Sequence, residues 1–293
     1  MDIKFIEKFT KNDIEKFLKN NWLYIVWFIV NFTVCWTMFG GGVSFFFILL
    51  LVYAVSIFIA LSPVGEYLLR LIESARPVLT KQELEYLTPI YLDVYKTVKA
   101  QNPSMGKVWL FLQDTISVNA FAIGRHTVVL TKGAIETFSE EELKGVLAHE
   151  LGHIANGDTI AVLLNTIGNG LFAVIVGIIR LYILLIDILL GIFERVGILR
   201  WLLLFSKYIY EMLIMLFLFI GQAILSVNSR KSEFKADRFA YDNGYGNELT
   251  QALYLLQKMS LSEKMTIKER LQASHPIFAW RINKLETLID GEG

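Results

Sequence analysis

The stretch Ser139-Glu140-Glu141-Glu142-Leu143-Lys144-Gly145-Val146-Leu147-Ala148-His149-Glu150-Leu151-Gly152-His153-Ile154-Ala155-Asn156-Gly157 decides how the chain is read. Ser139 with Glu142 forms a capping-box pattern, and Leu143, Val146, Leu147 and Ile154 recur at helical intervals up to Gly157. Residues four apart share a helix face, with Cβ atoms about 5–6 Å apart. His149 and His153 therefore present two imidazoles to one point, the spacing that suits a single Zn²⁺ ion. Glu150 flanks them, placed to take a proton from a metal-bound water. Gly152 has no side chain, so the helix can approach a neighbouring backbone closely. H-E-x-x-H also arises by chance, but two of the chain's 4 histidines fall in it, on a helix with its own start signal.

Working outward, composition sets the frame. The chain has 293 residues, 54% of them hydrophobic and 19% charged. Soluble domains carry about 25% charged residues, and here the apolar excess sits in blocks, the distribution of a membrane protein with one aqueous domain. Lys+Arg and Asp+Glu both number 28, so no net charge points to a nucleic-acid partner. The single cysteine, Cys35, lies in an apolar block and has no intrachain disulfide partner. Trp22–Phe39 follows a long lead of mixed charge, unlike a secretory signal, and reads as a retained transmembrane helix. Val43–Leu61 reads as a second one, joined by Gly40-Gly41-Gly42 and ended by Pro63.

Thr159–Asn228 is a long apolar stretch interrupted by Arg180, Asp187, Glu194, Arg195, Arg200, Lys207 and Glu211. Ile160–Ile179 and Tyr208–Val227 read as spans. The part between them, 181–205, fits an interfacial segment, a re-entrant segment, helix extensions or a third crossing. Lysines 4, 8, 11, 16 and 19 before the first span, with Arg230, Lys231 and Lys235 after the last, place both termini and the aqueous domain in the cytoplasm.

The aqueous parts read as helices over about 66–101, with Tyr67, Leu68, Leu71 and Ile72 as an apolar stripe and Thr80–Glu83 as another capping box. Val108–Leu112, Ile116–Ile123 and Thr127–Leu130 are β-type runs, most simply a small antiparallel sheet. Further helices are expected near 229–241, near 247–259 and after Pro276. In Ser232-Glu233-Phe234-Lys235-Ala236-Asp237 the two acids share a helix face. Either one ligates a metal and the other supports a ligand histidine, or the helix is a solvated one whose acids pair with Lys231, Lys235 and Arg238.

His149–His153 with Asn156-Gly157-Asp158, Glu233–Asp237, Asn119-Ala120-Phe121-Ala122-Ile123-Gly124, and His275-Pro276 with Arg281-Ile282 together resemble the HtpX-type membrane zinc proteases, a superfamily that includes the type I CAAX prenyl endopeptidases. The resemblance implies a mainly α membrane protein with about four transmembrane helices and a zincin-like α+β protease domain. Its parts would be a lead and hairpin (1–62), protease domain (63–158), a second transmembrane pair (159–228) and the rest of the protease domain (229–293).

The resemblance further implies Zn²⁺ held by His149, His153 and Glu233, Glu150 as general base, Asp237 supporting a ligand histidine, and His275 and Arg281 stabilising an oxyanion. Asn119, Ala120, Phe121 and Ala122 would hold an extended polypeptide by main-chain hydrogen bonds at a strand edge, unless this is an ordinary core strand. If Glu233 is a ligand, the chain between it and His149 crosses the bilayer an even number of times, so two crossings are expected. The implied role is cutting misfolded or damaged membrane proteins at the cytoplasmic face of a prokaryotic plasma membrane. A prenyl-protein endopeptidase and a non-catalytic zinc-binding scaffold are the competing readings. His126 matches no motif and reads as a loop histidine.

Overall fold

A computed structural model describes residues 22–38, 41–164, 166, 170–192, 197–260 and 278–291. The lysine-rich lead and His275-Pro276 lie outside the described residues. Helices α1 (Trp22–Met38) and α2 (Val43–Leu61) form the expected hairpin. Phe28 and Phe32 meet Tyr53 edge-on at 4.8 and 5.4 Å. Among the described residues α2 alone is both long and apolar enough to cross a bilayer, and α1 is a shorter apolar helix.

Helix α3 (Pro63–Ile72) follows, then β1 (Ala75–Pro77), α4 (Lys81–Gln101), β2 (Trp109–Gln113), β3 (Ala120–Ile123) and β4 (Thr127–Thr131). Beyond them lie α5 (Lys132–Thr137), α6 (Glu140–Asn156), α7 (Asp158–Leu163), α8 (Gly170–Ile192), α9 (Gly197–Asp242), α10 (Gly246–Ser260) and α11 (Phe278–Ile289). Both capping boxes form, Thr80–Glu83 at the start of α4 and Ser139–Glu142 at the start of α6.

Two expectations are corrected here. The sheet is mixed rather than antiparallel: its order is β1-β2-β4-β3, with β2 and β4 parallel, Phe111 opposite Val129. The reason is burial. All five residues of Thr127–Thr131 are buried, so β4 takes the central place, while the half-buried β3 folds back along its far side as an antiparallel hairpin. Inserting β4 between β2 and β3 makes it run with β2. Second, the helix expected near 229–241 is not separate but the end of α9, one helix of 46 residues. Helices α8 and α9 together cover most of 181–205, and two of the charges that interrupt this apolar stretch, Asp187 and Lys207, pair across them at 2.5 Å.

The core sits where α6 meets α4, α10, α11, the end of α9 and the sheet. Val94, Leu112, Leu130, Leu147, Leu151, Leu253 and Leu285 belong to one buried cluster. Gly152 marks the closest approach of α6 to α9: a Cβ there would lie 3.1–3.2 Å from Phe239 and Ala236. That contact brings the far end of the chain onto the H-E-x-x-H turn.

Candidate metal centre

Helix α6 projects His149 and His153 from one face, their rings edge to face with centroids 4.7 Å apart. Helix α9, seated on the Gly152 surface, brings Glu233 to the same place. The three donor groups lie within 4.8 Å of one another. His149 Nε2 and His153 Nε2 are 3.2 Å apart, and the Glu233 carboxylate stands 3.4 Å from the first through Oε2 and 3.5 Å from the second through Oε1.

These distances test whether a metal fits. Ligands at about 2.0–2.1 Å from a tetrahedral ion stand about 3.3–3.4 Å from one another, close to the observed spacing. The donor chemistry agrees. Each imidazole faces a carboxylate with its other nitrogen, His149 Nδ1 at 3.0 Å from Asp237 and His153 Nδ1 at 3.2 Å from Asp158. Nδ1–H donation to those carboxylates leaves both Nε2 lone pairs converging on one point together with a carboxylate oxygen, an arrangement that calls for a cation.

The surroundings are charged and buried. Glu233, Asp237, Asp158, His149 and Glu150 are all buried. Arg281 of α11 is buried too and braces the acids: Nε and Nη2 donate to Asp237 at 2.8 and 2.6 Å, while Nη1 lies 2.7 Å from Glu233. Burial and Arg281 both disfavour a charged His149, but Asp237 and Glu233 outweigh them and raise its pKa. At His153 burial is again overcome, by Asp158 and Glu233, and the imidazole titrates well above the usual histidine range. Burial would raise Asp237, yet Arg281 and His149 hold its carboxyl below the ordinary value.

Strand β3 runs beside α6 at the sheet's edge, hydrogen-bonded to β4 on one side only. Ala120, Phe121 and Ala122 are half-buried in it, and Asn119 just before it is exposed. The backbone of Asn119 is pinned to Thr131, whose Oγ1 donates to its carbonyl at 2.8 Å and accepts from its N–H at 3.0 Å. The role of Asp158 is not evident from the sequence pattern alone. The signal was present: an acid just beyond the glycine stop of the metal helix returns to the last histidine of that helix.

Residues 82–289 match the profile of Peptidase family M48. The chain belongs to peptidase family M48. The family implies a metal ion, and His149, His153 and Glu233 form a group that could hold one. Protease HtpX of Psychrobacter sp. (strain PRwf-1) is 30% identical over 56% of this chain and 52% of its own length. The Protease HtpX homolog of Halobacterium salinarum is 42% identical over 31% of this chain and 32% of its own. The chain thus spans about half or less of these two M48 relatives. A Protease HtpX homolog from Desulfotalea psychrophila is 29% identical over 65% of this chain and 71% of its own length. The crystal structure of S. mikatae Ste24p aligns with a TM-score of 0.44 and 20% identity, covering 94% of this chain and 65% of that one.

Proposed function

We propose that this M48 peptidase is a zinc endopeptidase of a prokaryotic plasma membrane, hydrolysing misfolded or damaged membrane proteins at the cytoplasmic face. The observation that carries the reading is the triangle of His149, His153 and Glu233 at tetrahedral spacing, with Glu150 one residue from the first ligand. Zinc held there supplies Lewis acidity and lowers the pKa of a bound water to about 7.

The chain's own residues do the rest. Glu150 takes the proton of the attacking water and passes it to the leaving amine. Asp237 and Asp158 orient the two imidazoles. Arg281 braces Asp237 and Glu233 and adds positive charge to the site in which the scissile carbonyl becomes an oxyanion. His275, outside the described residues, is assigned by resemblance to the same oxyanion. The outer edge of β3, at Ala120 to Ala122, holds substrate in extended form through its main chain, and Asn119, its own N–H and carbonyl taken up by Thr131, fixes where that edge begins. Recognition of that kind tolerates many sequences, which suits a protease of damaged proteins. Both termini and the site belong to the cytoplasm in this reading, with α8 and α9 as the second membrane pair.

Purified protein in vesicles provides the test. An unfolded membrane protein should be cleaved, a chelator should stop cleavage, and zinc should restore it more fully than magnesium. Cleavage of a farnesylated C-terminal peptide in preference to the unfolded protein would replace this substrate class with a prenyl-protein one. Undiminished cleavage after complete metal removal would end the zinc reading.

A further inference from the structure

Helix α3 is amphipathic, but it is built inside out. Val64, Tyr67, Leu68, Leu71 and Ile72 form one stripe at helical spacing, and all five are exposed, from 38% at Leu68 to 65% at Ile72. The opposite face carries its charged residues inward. Glu66 is buried, accepts from the N–H of Arg125 at 2.5 Å and meets His126 Nδ1 at 3.1 Å. Arg70 donates to Thr127 Oγ1 at 2.9 Å and lies over the Phe111 ring at 4.8 Å. Leu69 alone among the helix's large apolar side chains is buried, packed with Ile123, Val129 and Leu163.

A helix that turns its acid and its base toward the protein and most of its large apolar side chains outward is matched to an apolar exterior. What lies outside is indicated by the chain itself. Helix α2, the one described helix that meets the requirements for crossing a bilayer, ends at Leu61, and α3 starts at Pro63. Ser62 makes the corner, extended in its backbone, with its hydroxyl accepting from Val64 N. The exposed stripe therefore begins at the point where the chain leaves the hydrocarbon, which is where interfacial helices lie in the membrane plane with one face buried in the headgroup–acyl boundary.

We propose that α3 lies flat in the interfacial layer of the bilayer, its Val64-Tyr67-Leu68-Leu71-Ile72 stripe in lipid, and that it sets the height of the substrate strand above the membrane. The mechanical link is the β3–β4 turn. Gly124, with φ +57, leaves room for Glu66, since a Cβ there would sit 2.2 Å from its carboxylate. Glu66, Arg70 and, from α7, Thr159 fasten the turn Gly124–Thr127 at the end of β3. Substrate edge, metal helix and lipid surface thus keep a fixed spacing, which limits cleavage to chain segments held close to the membrane. This rests on reading α2 as a membrane span.

Site-directed spin labelling of the full chain in vesicles tests it, in a Cys35→Ala background. Nitroxides are placed through Leu68→Cys and Leu71→Cys, with Phe58→Cys on the exposed flank of α2 and Gln251→Cys on α10 as references. Expected at 68 and 71 is relaxation by oxygen several-fold greater than by a water-soluble nickel chelate, at a depth between a deeper 58 and an aqueous 251. Relaxation dominated by the nickel chelate at 68 and 71, with 58 still in lipid, overturns the inference while leaving the membrane reading intact. Immobilised spectra shielded from both relaxants would assign the stripe to a protein contact instead, within this chain or with a second copy, and overturn it equally. An aqueous 58 would remove the membrane reading and this inference together.

Discussion

Helices α6 and α3 both turn charged side chains away from the surface, and they do so in different company. In α6 the apolar residues Leu143, Leu147 and Leu151 are buried along with His149 and Glu150, so this part of the helix is enclosed by protein and its buried histidine joins His153 at one point. In α3 Glu66 is buried and Arg70 half-buried beneath the helix, while two of the three leucines, Leu68 and Leu71, are exposed. The first pattern belongs to a cluster of potential metal ligands enclosed in a packed core. The second belongs to a boundary where the protein is the more polar medium. Helical periodicity identifies which residues share a face, but the medium that face meets is decided by what precedes the helix and what packs on it.

Changing a buried charge of α6 should have the largest effect. If these groups serve chemistry rather than packing, Glu150→Gln keeps the fold and the metal but removes the base. Loss of a positioned general base costs about 10²–10⁴-fold in rate. The expected result is a protein with wild-type metal content by elemental analysis and cleavage reduced by that factor. A variant as active as wild type would mean that Glu150 is a structural acid and that the buried charges of both helices serve packing.

A second pair of substitutions compares the leucines. Leu147 is 1% exposed and Leu71 is 56% exposed. Removing a fully packed leucine leaves a cavity, and Leu147→Ala should destabilise the protein by about 2–5 kcal/mol. Leu71→Ala should change the detergent-solubilised protein by about 0.5 kcal/mol or less, as surface substitutions do. Chemical denaturation of both variants in the same detergent checks this. A large loss at Leu71 in the absence of lipid would show that the stripe packs on protein.

A third substitution tests the brace behind the metal ligands. Asp237 holds His149 Nδ1 at 3.0 Å and is itself held twice by Arg281. Asp237→Asn keeps the size but removes the charge that orients the imidazole. Removing such an outer contact weakens metal binding by about 10–100-fold, measurable by competition with a chromophoric chelator. Unchanged affinity would show that His149 is fixed by packing alone.

How much of this was legible in the sequence depends on range. The capping boxes at Thr80 and Ser139 depend on residues three apart, and both form as expected from local chemistry. The pair His149–His153 is fixed by one turn of helix. Gathering Glu233 required a contact between residues far apart in sequence, which the resemblance supplied and periodicity did not. Asp158 was missed as a partner of His153 because the bond depends on how the chain turns after Gly157. The strand order was misjudged because placing β4 between β2 and β3 depends on the complete burial of Thr127–Thr131, a property of the packed domain. The stripe Tyr67, Leu68, Leu71 and Ile72 was recognised as a stripe, but nothing in its spacing says that it faces outward. Likewise His126, read as a loop histidine, meets Glu66 across the β3–β4 turn because α3 brings that acid inward.

The smallest expected effect concerns the far end of the same sheet, where charge pairing is exposed to water rather than enclosed. Arg76 of β1 pairs with Glu83 at 2.7 Å, and with Asp114 at 2.7 Å, clasping β1 to α4 and to the end of β2. Hydrogen bonding to Arg76 lowers the Glu83 carboxyl from 4.5 to about 2, and the same guanidinium lowers Asp114 in the same direction. A carboxyl whose folded pKa is depressed adds stability that is fully present above its unfolded value and lost as pH falls through its folded one. The contribution of Glu83 is therefore constant from neutral pH to about 4.5 and fades toward about 2. Arg76→Gln should lower the unfolding midpoint slightly at pH 7, and the gap from wild type should close across that acidic window. Measuring both proteins without metal keeps protonation of the histidine ligands out of the difference. Because these pairs are solvated, added salt should narrow the gap at pH 7 as well, whereas it should leave the enclosed Arg281–Asp237 pair almost untouched. A gap that stayed constant on acidification would mean that Glu83 is held by its capping role at Thr80 rather than by the arginine.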